Sequence, residues 1–171
     1  EDVAKTKMTV AYMAVLPRIF QMYYGTEILM DDTENPGDHG LIRTELPGGW
    51  NDSEVNAFTG EELSEEKADM QEFVKKVMNY RKNSEAIHSG ETKHFAPEDS
   101  TYLITRKAGD EVLVLILNKN EEAITLDLER FSELNLEGKT FKNLISEETF
   151  QWEDSLELSE EGVYFFTTKM E

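Results

Sequence analysis

The chain has 171 residues, 39 % of them apolar and 10 % aromatic, enough to build a core and to exclude wholesale disorder. Its 17 Lys and Arg face 36 Asp and Glu, a formal net charge of −19. That balance argues against nucleic acid and against an anionic membrane surface, since both are bound through clustered cations. No apolar run approaches the ~20 residues of a membrane span. The absence of Cys removes disulfides and thiolate metal sites without fixing the compartment.

In chain order, residues 3–16 (VAKTKMTVAYMAVL) contain no Gly or Pro and carry Val3, Met8, Ala11, Met13, Val15 and Leu16 over most of the circumference. This pattern predicts a helix buried on several sides. RIFQMYYG (18–25), aromatic and branched and closed by Gly25, reads as a buried strand. Residues 26–62 hold the turn chemistry of Asn35-Pro36-Gly37-Asp38, Pro47-Gly48-Gly49 and Thr59-Gly60. A loop of that length inside a compact domain is usually functional or packed on something larger. A helix follows over about 64–82, with Met70, Phe73, Val74 and Val77 on one face, Ser64 as its cap, and Arg81 and Lys82 at its C-terminal end.

The character changes near residue 90. Seven short segments then read as strands: TYLITRK (101–107), EVLVLILN (111–118), AITLDL (123–128), TFKNLI (140–145), TFQW (149–152), SLEL (155–158) and GVYFFTT (162–168). Their spacing predicts an antiparallel β-sandwich. EVLVLILN is apolar on both faces and is expected at the centre of a sheet; AITLDL alternates and is expected to show one face to water.

A lone strand between two helices cannot satisfy its own backbone. A helix–strand–loop–helix unit is what one or two steps of a (β/α)8 barrel look like, and such a barrel takes ~250 residues. The expectation is therefore that the chain is the end of a longer polypeptide. An ordinary α+β domain, in which 18–25 joins the later sheet, is the alternative on pattern alone.

The stretch Ile19-Phe20-Gln21-Met22-Tyr23-Tyr24-Gly25-Thr26-Glu27-Ile28 resembles the last barrel strand of the α-amylase family, glycoside hydrolase family 13, where G-I-P-x-I-Y-Y-G-x-E is common. Arg43-Thr44-Glu45-Leu46-Pro47-Gly48-Gly49-Trp50 with Asn56-Ala57-Phe58 is similar to the R-x-D-F-P-G-G-W…N-A-F run of its neopullulanase and cyclomaltodextrinase branch. Residues 73–90 resemble that branch's last barrel helix and its exit, and His94-Phe95-Ala96-Pro97 the start of its C-terminal β-domain. The likeness covers about residues 1–130. Arg18 and Phe20 replace the family's Gly and Pro, and Glu45-Leu46 its Asp-Phe. The resemblance implies the end of the barrel over 1–92 and a β-sandwich over 93–171.

It also implies a parent that hydrolyses α-glucan with retention, using a carboxylate nucleophile and a carboxylic acid ~5–5.5 Å apart. In the family these groups, and a further Asp in an N-H-D motif, lie at earlier strands. The chain contains no Asn-His-Asp, so no catalytic residue is expected in it, and it is expected to be inactive alone. The candidate cleft-lining residues are Tyr24, Glu27, Arg43 and Trp50. Glu27 falls just past a strand's C-terminal end, where barrel enzymes keep their sites; a carboxylate there either orients cleft residues or, more commonly, ties the loop to the rim. Tyr23, Tyr24, Trp50 and Phe58 can stack on sugar rings, although such residues are more often packing. Arg43 is expected to pair with loop carboxylates.

The acidic run DDTENPGD (31–38) invites a calcium reading, but counting from Asp32 puts Pro36 at the fifth and Arg43 at the twelfth position of an EF-hand loop, which fails. His39, His88 and His94 lack ligand spacing. No cofactor or metal is expected here; calcium would belong to the parent. The expected partner of the parent is an α-glucan oligosaccharide, its expected location periplasmic or extracellular. For the chain itself, unpartnered apolar residues such as Met8, Met13, Met22 and Val74 predict self-association. Two other readings compete: a stand-alone carbohydrate-binding β-sandwich module, which needs a row of exposed aromatics, and a structural interaction domain unrelated to sugars. Phe131, Phe141, Phe150, Trp152, Tyr164, Phe165 and Phe166 are available for such a row, but their strand positions point to core for most of them.

Overall fold

The computed structural model describes residues 2–30, 37, 40 and 44–169. In order these form helix α1 (Val3–Val15), a 3₁₀ turn (Thr26–Ile28), helices α2 (Glu65–Asn83) and α3 (Glu85–Ser89), and then strands β1 (Glu91–His94), β2 (Thr101–Ala108), β3 (Glu111–Asn118) and β4 (Ile124–Asp127). A second 3₁₀ segment (Glu129–Leu134) precedes β5 (Thr140–Asn143), β6 (Thr149–Gln151), β7 (Ser155–Leu158) and β8 (Gly162–Thr167). Two compact units result, one of residues 1–19 and 76–171, the other of residues 20–75.

The first unit is built on an antiparallel six-stranded sheet in the order β1-β2-β3-β8-β5-β6, with β4 and β7 paired as a separate two-stranded sheet. As its two apolar faces require, β3 is central, with Leu115 opposite Ile104 on one side and Phe165 on the other. Val112, Val114 and Ile116 point to the sandwich core with Leu103, Leu126, Leu128, Phe131, Phe141, Trp152, Leu158 and Phe166. Each such side chain contributes about 1.5–3 kcal/mol by leaving water. β4 alternates as expected, burying Leu126 while Thr125 and Asp127 face solvent.

The opposite face of the sheet carries Leu113, Leu115 and Phe165, all fully buried. Helix α1 lies against β3 and β8, and α3 against β2 and β3. Asp2 caps α1 by accepting from the Lys5 amide at 3.0 Å, and the helix ends at Val15, two residues before Pro17. Met8, Val10, Ala11, Ala14 and Val15 are buried, but Tyr12 and Met13 are exposed. Neighbours therefore cover one side of α1, less of it than its composition predicts.

Gly90 follows α3 where nothing larger fits. A Cβ there would meet the Ala86 carbonyl oxygen and stand 2.6 Å from that of Lys107. The same place holds Arg106, whose side chain is fully buried. Its Nε and Nη2 donate to the carbonyls of Ala86 (3.1 Å) and Ile87 (2.8 Å), and Nη1 to the Thr92 hydroxyl. The guanidinium thus caps the end of α3 from the sheet, where the helix dipole favours a cation.

The expected strand at 18–25, which runs from the end of the first unit's N-terminal part into the second unit, is corrected. No strand forms there, and Ile19 is 96 % and Tyr23 59 % exposed. The physical reason is the absence of a ladder. Strand conformation is held by hydrogen bonds to neighbours, and among the described residues no segment pairs with this one. The buried part of the unit comprises Ile28, Leu29, Ala57, Met70, Phe73 and Val74, the last three on the predicted stripe of α2. The Lys67 amide donates to Ser64 Oγ at 3.4 Å, as expected for the cap.

Candidate functional site

Within residues 20–75 the Pro-Gly-Gly turn and the Asn-Ala-Phe segment are held together by backbone chemistry. The Ala57 amide donates to the Pro47 carbonyl at 2.9 Å. Asn56 Oδ1 accepts from the amides of Phe58 (2.9 Å) and Thr59 (3.1 Å), closing an Asx turn. Gly48, at φ +98°, passes so close to Asn56 that a Cβ would meet Oδ1 at 2.5 Å. Only glycine tolerates both the dihedral and the contact. Gln71 of α2 donates to the Ala57 carbonyl at 2.7 Å, anchoring the segment on the helix.

This frame presents rings to solvent. Trp50 is 66 % and Phe58 72 % exposed. The Trp50 indole N–H donates to Glu45 Oε2 at 2.6 Å, which fixes the edge of the ring and leaves its faces available. Tyr24 donates its hydroxyl to the Thr44 carbonyl at 2.9 Å, and its ring lies 4.6 Å from that of Tyr23. Glu27, in the turn Thr26–Ile28, has a buried Oε2 with no hydrogen-bond partner among the described residues. Arg43, His39 and the acidic run except Gly37 lie outside the described residues. Such an arrangement can stack apolar sugar faces and accept a proton donor at Glu27. Glu45, the partner of Trp50, carries no motif of its own; its only sequence signal was its place in the Arg43–Trp50 run.

In the first unit the polar side chains form a brace. Glu111 at the start of β3 accepts from Tyr80 (2.9 Å) and Ser84 (2.7 Å) on one oxygen and from the Ala86 amide (3.1 Å) on the other. Burial pushes its carboxyl up, but hydrogen bonds from Ser84, Ala86 and Tyr80 outweigh that and hold it below the usual glutamate value. Tyr80 also meets Thr167 Oγ1 at 2.8 Å, and burial pushes its phenol far up. Arg81 reaches back to the carbonyls of Ala14, Leu16 (3.0 Å) and Arg18 (2.5 Å), closing the end of α1. Among the described residues no group of three or more His, Cys, Asp or Glu is placed to hold a metal ion, and no helix is long and apolar enough to cross a membrane.

Comparison with known proteins adds two findings. Residues 92–167 match the family described as the cyclo-malto-dextrinase C-terminal domain. Among solved structures, AmyP in complex with maltose superposes with a TM-score of 0.75 at 15 % identity, over 98 % of this chain and 35 % of that one. An α-amylase from Geobacillus thermoleovorans complexed with acarbose gives 0.72 at 20 % identity, over 98 % and 33 %. The ligand-free cyclic α-maltosyl-(1→6)-maltose hydrolase from Arthrobacter globiformis gives 0.60 at 19 %, over 96 % and 31 %. These likenesses show the fold, and the chain spans about a third of the length of the chains it matches. Residues 92–167 are thus similar to the cyclo-malto-dextrinase C-terminal domain family, and the chain as a whole shares its fold with about a third of an α-amylase and related enzymes.

Proposed function

We propose that this chain belongs to a retaining α-glucan hydrolase acting on starch or maltodextrin, that it lacks the catalytic carboxylates, and that it serves to buttress the catalytic barrel. In this reading residues 1–92 are the end of the barrel and residues 93–171 the sandwich that supports it. The observation that carries it is the match of residues 92–167 to a domain of cyclo-malto-dextrinases, joined to a sheet whose second face is covered by helices from the part of the chain before residue 90. Tyr24, Glu27, Arg43 and Trp50 would line the parent's cleft, and an α-glucan oligosaccharide would be its ligand. No cofactor is assigned to the chain. Copies of the chain by themselves would associate through their exposed apolar residues.

The alternative of an independent carbohydrate-binding sandwich gains nothing from the aromatics after residue 130. Phe131, Phe141, Trp152, Phe165 and Phe166 are buried, so they offer no exposed row. The test is an assay of the pure 171-residue chain with maltooligosaccharide, pullulan and cyclodextrin. No turnover is expected; measurable hydrolysis of any of the three would place catalytic groups within the chain and overturn the proposal.

A further inference from the structure

Glu45 and Trp50 flank the Pro47-Gly48-Gly49 turn, and the turn brings their side chains together. The backbone under each is pinned. The Thr44 carbonyl accepts from the Tyr24 hydroxyl at 2.9 Å, and the Pro47 carbonyl from the Ala57 amide at 2.9 Å. The Trp50 carbonyl accepts from the Ser53 amide at 3.2 Å. Glu45 therefore stands on a short segment tied down on both sides, in which Pro47 also fixes its own φ.

The indole itself is held differently. With 66 % of Trp50 exposed, neighbours cover little of the ring, and packing alone does not select its rotamer. The contact that does is the bond from the indole N–H to Glu45 Oε2, which at 2.6 Å lies at the short end for an N–H donor, as a carboxylate acceptor favours. An indole has one donor and no acceptor, so this bond uses its whole polar capacity. What the ring then offers a ligand is its two faces, the surfaces on which the C–H groups of a pyranose stack.

We infer that Glu45 is a positioning residue for glucan binding: it presets the orientation of Trp50, so that a sugar ring stacks on an indole already in place. This role rests on the proposal that Trp50 lines an α-glucan cleft, and it adds a residue that the cleft reading left without a task. Immobilising a free side chain on binding lowers affinity about two- to tenfold. The bond to Glu45 removes that loss before the sugar arrives. Glu45 acts through the indole and does not itself touch the ligand.

The experiment follows the indole N–H signals of the 171-residue chain by proton–nitrogen correlation spectroscopy during titration with maltoheptaose. The chain has two Trp, so Trp50→Phe assigns the Trp50 signal. A saturable shift of that signal is expected. Glu45→Ala is expected to move the signal in the free protein, to speed its exchange with water, and to weaken maltoheptaose binding about two- to tenfold. Glu45→Gln keeps an acceptor oxygen and is expected to recover most of the affinity. Both variants are expected to melt with the unaltered chain, since Glu45 is exposed and its bond orients a ring rather than holding the fold. Equal binding by Glu45→Ala overturns the inference and leaves the cleft reading standing. A Trp50 signal that maltoheptaose does not move takes Trp50 out of the cleft, and the inference falls with it. Weaker binding that comes with a lower melting temperature and is not recovered by Glu45→Gln also overturns it, because that is what a merely structural contact gives.

Discussion

Glu111 is the first residue of an apolar strand, and nothing in EVLVLILN marks it as more than a polar edge. In the folded chain it is the meeting point of α2, α3 and the sheet, accepting from Tyr80, Ser84 and the Ala86 amide. Its folded pKa lies below its ordinary value of 4.5, so the stability it contributes is fully present above that value and is lost as pH falls through the folded one. Glu111→Gln puts an amide where the Ala86 N–H needs an acceptor. The variant is expected to lose about 1–3 kcal/mol at pH 7, and the gap to the parent chain should close toward pH 3. Denaturant unfolding of both proteins at the two pH values measures this, since carboxylates common to both cancel. A gap that persists undiminished at pH 3 would mean that the carboxylate charge is not what the brace uses. Arg106 teaches the same lesson: in TYLITRK it reads as a charged strand end, yet it is buried against carbonyls of α3. Burial of such groups is decided by which helix the sheet meets, and no local pattern encodes that.

At the scale of elements, alternation and apolar runs located all seven strands after residue 100 and both long helices, because each of those segments carries its own periodic signal. β1 was missed, and its four residues are all exposed. It is held at the sheet edge by pairing with β2 rather than by side-chain burial, so it leaves no apolar trace. The segment 18–25 failed in the opposite sense, having the composition of a strand without a ladder to join. In the loop, Pro47-Gly48-Gly49 and Thr59-Gly60 were legible as turns and Asn56-Ala57-Phe58 as part of the family-like run, but the packing of Gly48 on Asn56 that joins them was not. Arg81 was read as a dipole partner for its own helix, whereas it closes α1 through the carbonyls of Ala14, Leu16 and Arg18. That contact yields an element-level expectation. Arg81→Ala should speed amide exchange in the last turn of α1, from Ala11 to Val15, while β3 amides keep their protection. Arg81→Lys should restore only part of the effect, because an ammonium lacks the guanidinium fork. Unchanged exchange in α1 would show that packing on the sheet, not the cap, holds that helix end.

For the whole molecule two terms oppose each other, one long-range and one acting on contact. A net charge of −19 drives copies apart. Exposed apolar side chains draw them together, with Ile19 96 %, Phe58 72 %, Trp50 66 % and Met13 40 % exposed. The two terms respond differently to salt. Repulsion between separate molecules acts over a Debye length of about 30 Å at 0.01 M and about 8 Å at 0.15 M ionic strength. Apolar contact is not screened. Self-association is therefore expected to grow with salt, the reverse of what ion pairs between copies would give. Sedimentation velocity at the two ionic strengths reads the difference directly. A shift from monomer at 0.01 M toward dimers or larger species at 0.15 M is the expected result. Ile19→Ser combined with Phe58→Ser should hold the chain monomeric at both, since the charge is untouched and part of the apolar attraction is gone. Monomers at both ionic strengths for the unaltered chain would show that these side chains, although exposed, form no adhesive surface.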